Sequence, residues 1–199
     1  MPTSNNLTYR LAIFASGGGS NVEQIIRYFK QHESIAVALI VSNQSTARVL
    51  DRANSHQIPA FVCTKKQFAS PRTLLASLKE HDITHIVLAG FLLLIPQELI
   101  QAFPDKILNI HPSLLPKYGG KGMYGHHVHK AVYENRETIS GITIHLVNEE
   151  YDKGKVLFQK KISLDPEDTP ERIAAKVLTL EHQNFPLIIE RFILNQLNI

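Results

Sequence analysis

Between residues 9 and 111 the chain alternates short apolar runs with amphipathic stretches of helical length. LAIFA (11–15), IAVALIVS (35–42), IPAFVCT (58–64), THIVLAG (84–90) and KILNIH (106–111) hold few polar residues. Strands that read as continuous apolar runs are buried on both faces, the condition of a parallel sheet covered by helices. The spacers agree with this. Val22, Ile25, Ile26 and Phe29 fall at helical spacing in VEQIIRYFK, and a polar stretch around 46–56, PRTLLASLKEH (71–81) and IPQELIQAF (95–103) read as helices. The first two thirds therefore predict a doubly wound α/β unit with a mostly parallel, open sheet.

After residue 127 the rhythm changes. GITIHLV (141–147) alternates, and KVLFQKKISL (155–164) follows after a short turn, which predicts antiparallel late strands. Asp168 and Thr169 precede PERIAAKVLTLEHQNFPLIIERFIL, so a capping residue, a first-turn proline and Glu171 open a long C-terminal helix. Pro186 should kink or interrupt it. No repeat, low-complexity segment or linker divides the chain, and residues 1–199 read as one domain.

Composition narrows the function classes. At 199 residues with 44% hydrophobic and 20% charged, one core of ordinary character is expected. A net charge of +3, with no block of like charges, disfavours nucleic acid as the main partner. Cys63 is the single cysteine, so no disulfide can form within the chain, and its apolar surroundings favour a buried small hydrophobe. The polar opening MPTSNNLTYR lacks the apolar core of a signal peptide, and no run of eighteen apolar residues exists. A soluble, cytoplasmic protein is expected.

Two stretches carry chemistry. ASGGGSN (15–21) lies between a strand and a helix, where backbone N–H groups and the helix dipole can hold an anion. Val22 stands where a dinucleotide fingerprint needs glycine, and the Walker ending is absent. A plain tight turn needs fewer than three glycines, so the loop favours a phosphate, with Ser20 and Asn21 as cap or donors.

In LNIHP, Asn109 and His111 occupy positions i and i+2 and face the same way at the carboxyl end of a strand. Ligands bind at that end of open α/β sheets. His145, inside the alternating run, reads as structural. His126, His127 and His129 lack a cysteine or a paired carboxylate, and on a helix start they would diverge, so no metal site is expected. Asp152, in NEEYDKG, reads as a solvated loop carboxylate, although a catalytic histidine needs such a group. Nothing in the sequence places it against His111.

ASGGGSN, LAGFLLLIP, LNIHPSLLPKYGG, GITIHLVNEEYDKG and LEHQNFPLII, in that order, closely resemble the phosphoribosylglycinamide formyltransferase family, folate-dependent enzymes of purine synthesis. The likeness runs from about residue 10 to residue 193 and implies a Rossmann-like formyltransferase fold. It implies formyl transfer from 10-formyltetrahydrofolate to the amine of 5-phosphoribosylglycinamide, with no metal. The catalytic trio would be Asn109, His111 and Asp152. Gly19, Ser20 and Asn21 would hold the ribonucleotide phosphate, and Glu181 its ribose. The folate would meet Arg72, Leu92, Leu93, Leu94, Ile95 and the turn of Asn148, Glu149, Glu150, Tyr151 and Asp152, as well as Asn109.

Asp152 is expected to raise the pKa of His111 and keep it protonated near neutral pH. Partners would be small molecules, with no nucleic acid or membrane, and the chain a monomer or weak homodimer. Three departures stand out: Leu93 replaces a common arginine, GGKGMYGHHVH is about two residues longer than the family's usual form, and Lys155 replaces a frequent proline. Among rivals, a methionyl-tRNA formyltransferase would carry a further C-terminal domain and a formyltetrahydrofolate hydrolase an N-terminal regulatory one. A sugar-nucleotide formyltransferase fits the phosphate loop less well, and a silent binding module would have lost Asn109, His111 or Asp152.

Overall fold

The computed structural model describes residues 8–197, so most of the polar opening segment lies outside the described residues. Chain contacts divide it into two compact units, the first ending at Ile107 and the second beginning at Leu108.

In the first unit, β1 (Tyr9–Phe14), β2 (Ile35–Ser42), β3 (Ala60–Val62) and β4 (His85–Leu88) pair in the order β3-β2-β1-β4, every pair parallel. Leu11, Ala12, Ile13 and Phe14 are fully buried, and all four residues of β4 are buried. That burial explains the unbroken apolar runs in the sequence. The helices are α1 (Ser20–Phe29), α2 (Val49–Ser55), α3 (Lys65–Ala69), α4 (Arg72–Glu80) and α5 (Gln97–Ala102).

Helix α1 buries the residues its spacing marks out, Val22, Ile25, Ile26 and Phe29. Two elements are shorter than the pattern suggests, since α2 covers seven residues of 46–56 and β3 only three of IPAFVCT. Helix α3 was not legible as an apolar stripe. It is held instead by a capping box in which Thr64 and Gln67 satisfy each other's backbone N–H. Cys63 is fully buried, as its neighbours imply.

The chain leaves β1 toward β2 and returns to β4 on the other side of β1. The loops after β1 and β4 therefore meet at a topological switch point, where open α/β sheets bind ligands. Ser16 N–H donates to the Gly90 carbonyl at 3.0 Å, and Leu92 N–H donates to Ser16 Oγ at 3.0 Å. These bonds tie the glycine loop to the LAGFLLLIP segment.

In the second unit, the end of β5 (Ile107–His111) pairs antiparallel with β6 (Ile139–Leu146), which pairs antiparallel with β7 (Val156–Ser163). Helices α6 (His126–Glu134) and α7 (Pro170–Ile193) pack on each other, and α7 also packs on β6. The fold class is thus as expected: parallel strands first, antiparallel strands late and a long final helix.

Thr169 caps α7 by accepting from Arg172 N–H, and Lys176 pairs with Asp165 and Asp168 just before it. Pro186 does not interrupt α7, contrary to one of the outcomes its position suggests. The proline withholds one backbone donor at a cost of about 3 kcal/mol. Phe185, Ile188 and Ile189 are buried beside it, each contributing roughly 1.5–3 kcal/mol, so packing on both sides outweighs the lost bond.

Candidate active site

Register builds the polar cluster. Asn109 lies opposite His145 and His111 opposite Thr143 across the β5–β6 pair. Asn109 Nδ2 lies 3.0 Å from His145 Nε2, and His145 Nδ1 lies 2.7 Å from the Leu146 carbonyl. A carbonyl only accepts, so Nδ1 carries the proton, and Nε2 is left to accept from the Asn109 amide. His145, read from the sequence as structural, therefore holds Asn109 in place. The signal that could have found it was the register of an antiparallel pair, which depends on the turn geometry between strands.

Asp152 closes the cluster. Its Oδ1 lies 3.4 Å from His111 Nδ1 and 3.6 Å from His145 Nε2, and its Oδ2 accepts the Gly120 N–H at 2.8 Å. The solvated reading of this carboxylate is therefore wrong, since its side chain is only 12% exposed. The turn delivers it through backbone geometry. Asp152 itself has φ +56°, and at Gly154 a side chain would run into the Leu146 carbonyl. Aspartate tolerates the left-handed region better than most residues.

The electrostatics correct one expectation. Burial pushes the His111 imidazole below its ordinary pKa. Asp152 and the Tyr118 carbonyl pull it upward without reversing that direction, and His145 adds a further push down. A group 4% exposed loses more by shedding water than one carboxylate at 3.4 Å restores. The lowered direction favours the neutral ring near pH 7, and the Tyr118 carbonyl, 2.8 Å from Nε2 and able only to accept, favours the proton on that nitrogen. Its Nδ1 lone pair faces Asp152, so a proton arriving there meets a carboxylate. Burial alone would raise the Asp152 carboxyl, but His145, His111 and the Gly120 N–H hold it below the usual carboxylate value.

The glycine loop is built differently. Gly19 sits at the N-terminus of α1 with φ +68°, and a side chain there would come within 2.7 Å of Val49 Cγ2. Gly17 and Gly18 are exposed and open, and Ser20 and Asn21 form the first turn of α1. Arg52, which the sequence reading did not single out, reaches this loop. Its Nε donates to the Gly18 carbonyl at 2.8 Å and its Nη1 pairs with Glu23 at 3.1 Å. Burial would raise the Glu23 carboxyl, yet Arg27, His56 and Arg52 bring it down to about 2.

The other residues marked by resemblance are placed as follows. Leu92 and Leu94 are 45% and 43% exposed on the segment after β4, Leu93 is half-buried and Ile95 is buried. Arg72 is exposed at the start of α4, and Glu181 is buried within α7. Asn148 Oδ1 accepts the Glu150 N–H at 3.1 Å, and Glu149, Glu150 and Tyr151 are exposed in the turn before Asp152. His126, His127 and His129 begin α6. Among the described residues no group of three or more His, Cys, Asp or Glu is placed to hold a metal ion. No helix among them is long and apolar enough to cross a membrane.

A family model described as formyl transferase matches residues 9–189. The chain belongs to the formyl transferase family. Over 189 residues it is 36% identical to a phosphoribosylglycinamide formyltransferase of Bacillus subtilis, covering 92% of this chain and 94% of that protein. It is 43% identical over 192 residues to the chloroplastic phosphoribosylglycinamide formyltransferase of Arabidopsis thaliana, covering 90% of this chain. The chain spans 64% of that relative's length and 60% of its Vigna unguiculata counterpart. A solved glycinamide ribonucleotide transformylase 1 of Geobacillus kaustophilus superposes with TM-score 0.84 at 34% identity, over 92% of this chain and 97% of that one.

Proposed function

We propose that this chain transfers a formyl group from 10-formyltetrahydrofolate to the amine of 5-phosphoribosylglycinamide, yielding the formylated ribonucleotide and tetrahydrofolate. The observation that carries the reading is the cluster in which His111 and His145 face the Asp152 carboxylate and Asn109 bonds to His145, in a member of this family.

The folate co-substrate supplies the formyl carbon on N10 and receives a proton there when the carbon–nitrogen bond breaks. Leu92 and Leu94 present apolar side chains at the switch point, a surface that suits a flat heteroaromatic ring. As the glycyl amine attacks the formyl carbon, negative charge develops on the formyl oxygen. Asn109 has one amide N–H committed to His145 and a second available for that oxygen. A donor of this kind is worth roughly 2.7–4 kcal/mol in the transition state.

The amine must also lose a proton. Neutral His111 accepts it at Nδ1, where Asp152 stabilises the imidazolium, and passes it on to the leaving nitrogen. His111 is thus a proton carrier in this scheme, in place of the standing imidazolium the sequence suggested. Gly19, Ser20 and Asn21 hold the phosphate through backbone N–H groups at the start of α1, and Glu181 the ribose. The folate tail falls to Arg72. The chain acts as one domain on small molecules, as a monomer or weak homodimer, without a metal.

The test is to mix the purified protein with 10-formyltetrahydrofolate and follow the deformylated folate by absorbance, with and without the ribonucleotide. Release only when the ribonucleotide is present supports the reading. Release without an acceptor indicates a hydrolase and sinks it, and no release in either case from folded protein sinks it as well.

A further inference from the structure

The segment between β5 and α6 is fixed along its first part by two buried bonds and one partly buried one. Thr143 Oγ1 donates to the Ser113 carbonyl at 2.7 Å and accepts the Leu115 N–H at 3.0 Å, and Gln159 Nε2 donates to the Leu115 carbonyl at 2.9 Å. From residue 117 onward the support is different. Tyr118 is only half-buried and adopts φ +56°, a conformation unfavourable for an aromatic residue. Its carbonyl is nonetheless the acceptor for His111 Nε2 at 2.8 Å, and two residues later Gly120 N–H reaches Asp152. Something must hold Tyr118 in that conformation. Glu137, after α6, is placed to do so. Its Oε1 accepts from the Tyr118 hydroxyl at 2.9 Å and from Lys117 Nζ at 2.8 Å.

We propose that Glu137 and the Tyr118 hydroxyl form a latch that holds the Tyr118 carbonyl on His111 and thereby sets the imidazole's tautomer and orientation. Both are positioning residues, because neither touches a reacting group. With the latch closed, the carbonyl selects the Nε2–H tautomer and leaves the Nδ1 lone pair toward Asp152. With it open, the neutral ring gains by moving its proton to Nδ1, where it donates to the carboxylate. That tautomer cannot accept a proton at Nδ1, the atom the proton carrier needs.

The Glu137 carboxyl already shows its commitment: Lys117 and Tyr118 hold it below the ordinary carboxylate value, while burial and Glu137 bring the Tyr118 phenol up to about 12. The phenol is therefore a permanent donor across the working pH range.

The kinetic consequence rests on the formyl-transfer reading, but the tautomer does not, so the two can fail separately. Long-range proton–nitrogen NMR of the histidine rings in the intact protein reports which nitrogen of His111 is protonated, the signal being identified by its loss in His111→Asn. Tyr118→Phe removes one oxygen atom from a half-buried ring and leaves the rest of the side chain. It should move His111 toward the Nδ1–H form and lower kcat about three- to tenfold, the factor one ordinary hydrogen bond represents, with KM for both substrates unchanged. Glu137→Ala should do the same, whereas Glu137→Gln keeps an acceptor for the hydroxyl and should restore the wild-type ring signals. Unmoved His111 signals in Tyr118→Phe would overturn the latch, even if kcat fell. Moved signals in a protein that shows no formyl transfer would support the latch and defeat only the functional reading.

Discussion

The glycine loop at residues 16–21 and the cluster around Asp152 differ in how far along the chain their parts lie. In the loop, six consecutive residues supply the turn, the close approach and the donors, and Arg52 is a support reaching in from α2. In the cluster, Asn109 meets His145 through strand register, and His111 and His145 meet Asp152, which a turn far along the chain from β5 delivers. A contiguous site is held by backbone conformation, so its weak point is a single dihedral angle. A dispersed site is held by side chains that satisfy one another, so its weak point is any one partner. Variants in the two should fail in different kinetic constants.

The largest effect is expected at the cluster. Asp152→Asn keeps the volume of the side chain and removes the charge that stabilises a proton on His111. Turnover should fall by about 10²–10⁴, the range of a lost general acid–base contribution. Ribonucleotide binding, measured by calorimetry on the folded variant, should stay within a few-fold of wild type. Wild-type turnover in this variant would remove Asp152 from the trio.

An intermediate effect is expected at the loop. Gly19→Ala forces a methyl group to within 2.7 Å of Val49 Cγ2 at φ +68°. The strain costs about 1–3 kcal/mol and displaces the first N–H groups of α1. The ribonucleotide KM should rise roughly tenfold or more while kcat changes little. A fall in kcat with KM unchanged would mean that the loop serves the chemistry and does not hold the phosphate. Arg52→Gln is the milder version, since it loosens the grip on the Gly18 carbonyl without altering the turn. Its expected mark is a two- to fivefold rise in the same KM, within the range of one charged hydrogen bond at a half-exposed site.

That contrast also explains what could be read from the sequence. The glycine loop, the parallel strands and the capped start of α7 were legible because each is written in neighbouring residues. Asn109 and His111 stood out as a pair on one strand face. The role of His145 was not legible, because an alternating strand looks the same whether its histidine faces the core or a partner across the register. The environment of Asp152 was hidden because a charged turn is ordinarily solvated, and only the fold shows Gly120 and two imidazoles around it. The neutral state of His111 was hidden for a related reason. Its carboxylate neighbour could be guessed, but the depth of burial that outweighs it is a property of packing. Helix α3 and the continuity of α7 through Pro186 were missed through local cues, one a capping box too short to show a stripe, the other a proline outvoted by its apolar neighbours.

The smallest effect compares the two units by acid stability. Burial, with Lys106 adding to it, pushes His85 in the first unit down to about 4, and burial, with His126 and His111, does the same to His129 in the second. Their unfolded values lie near 6.5. Between pH 6.5 and about 4 the unfolded chain therefore binds protons that the folded chain refuses, and stability falls as pH is lowered through that window. The contribution is complete above pH 6.5. Asp152 acts in a lower window, because its depressed carboxyl stabilises the fold above about pH 3.9 and loses that effect as pH drops further. The urea midpoint should thus decline from pH 7 through the upper part of that window, before the depressed carboxyls of Glu23 and Asp152 begin to lose their contribution. His85→Phe and His129→Leu should each flatten part of that decline, with a smaller gain at pH 4.5 than the loss either causes at pH 7. A decline of unchanged steepness in both variants would show that these two buried imidazoles are not what acid acts upon.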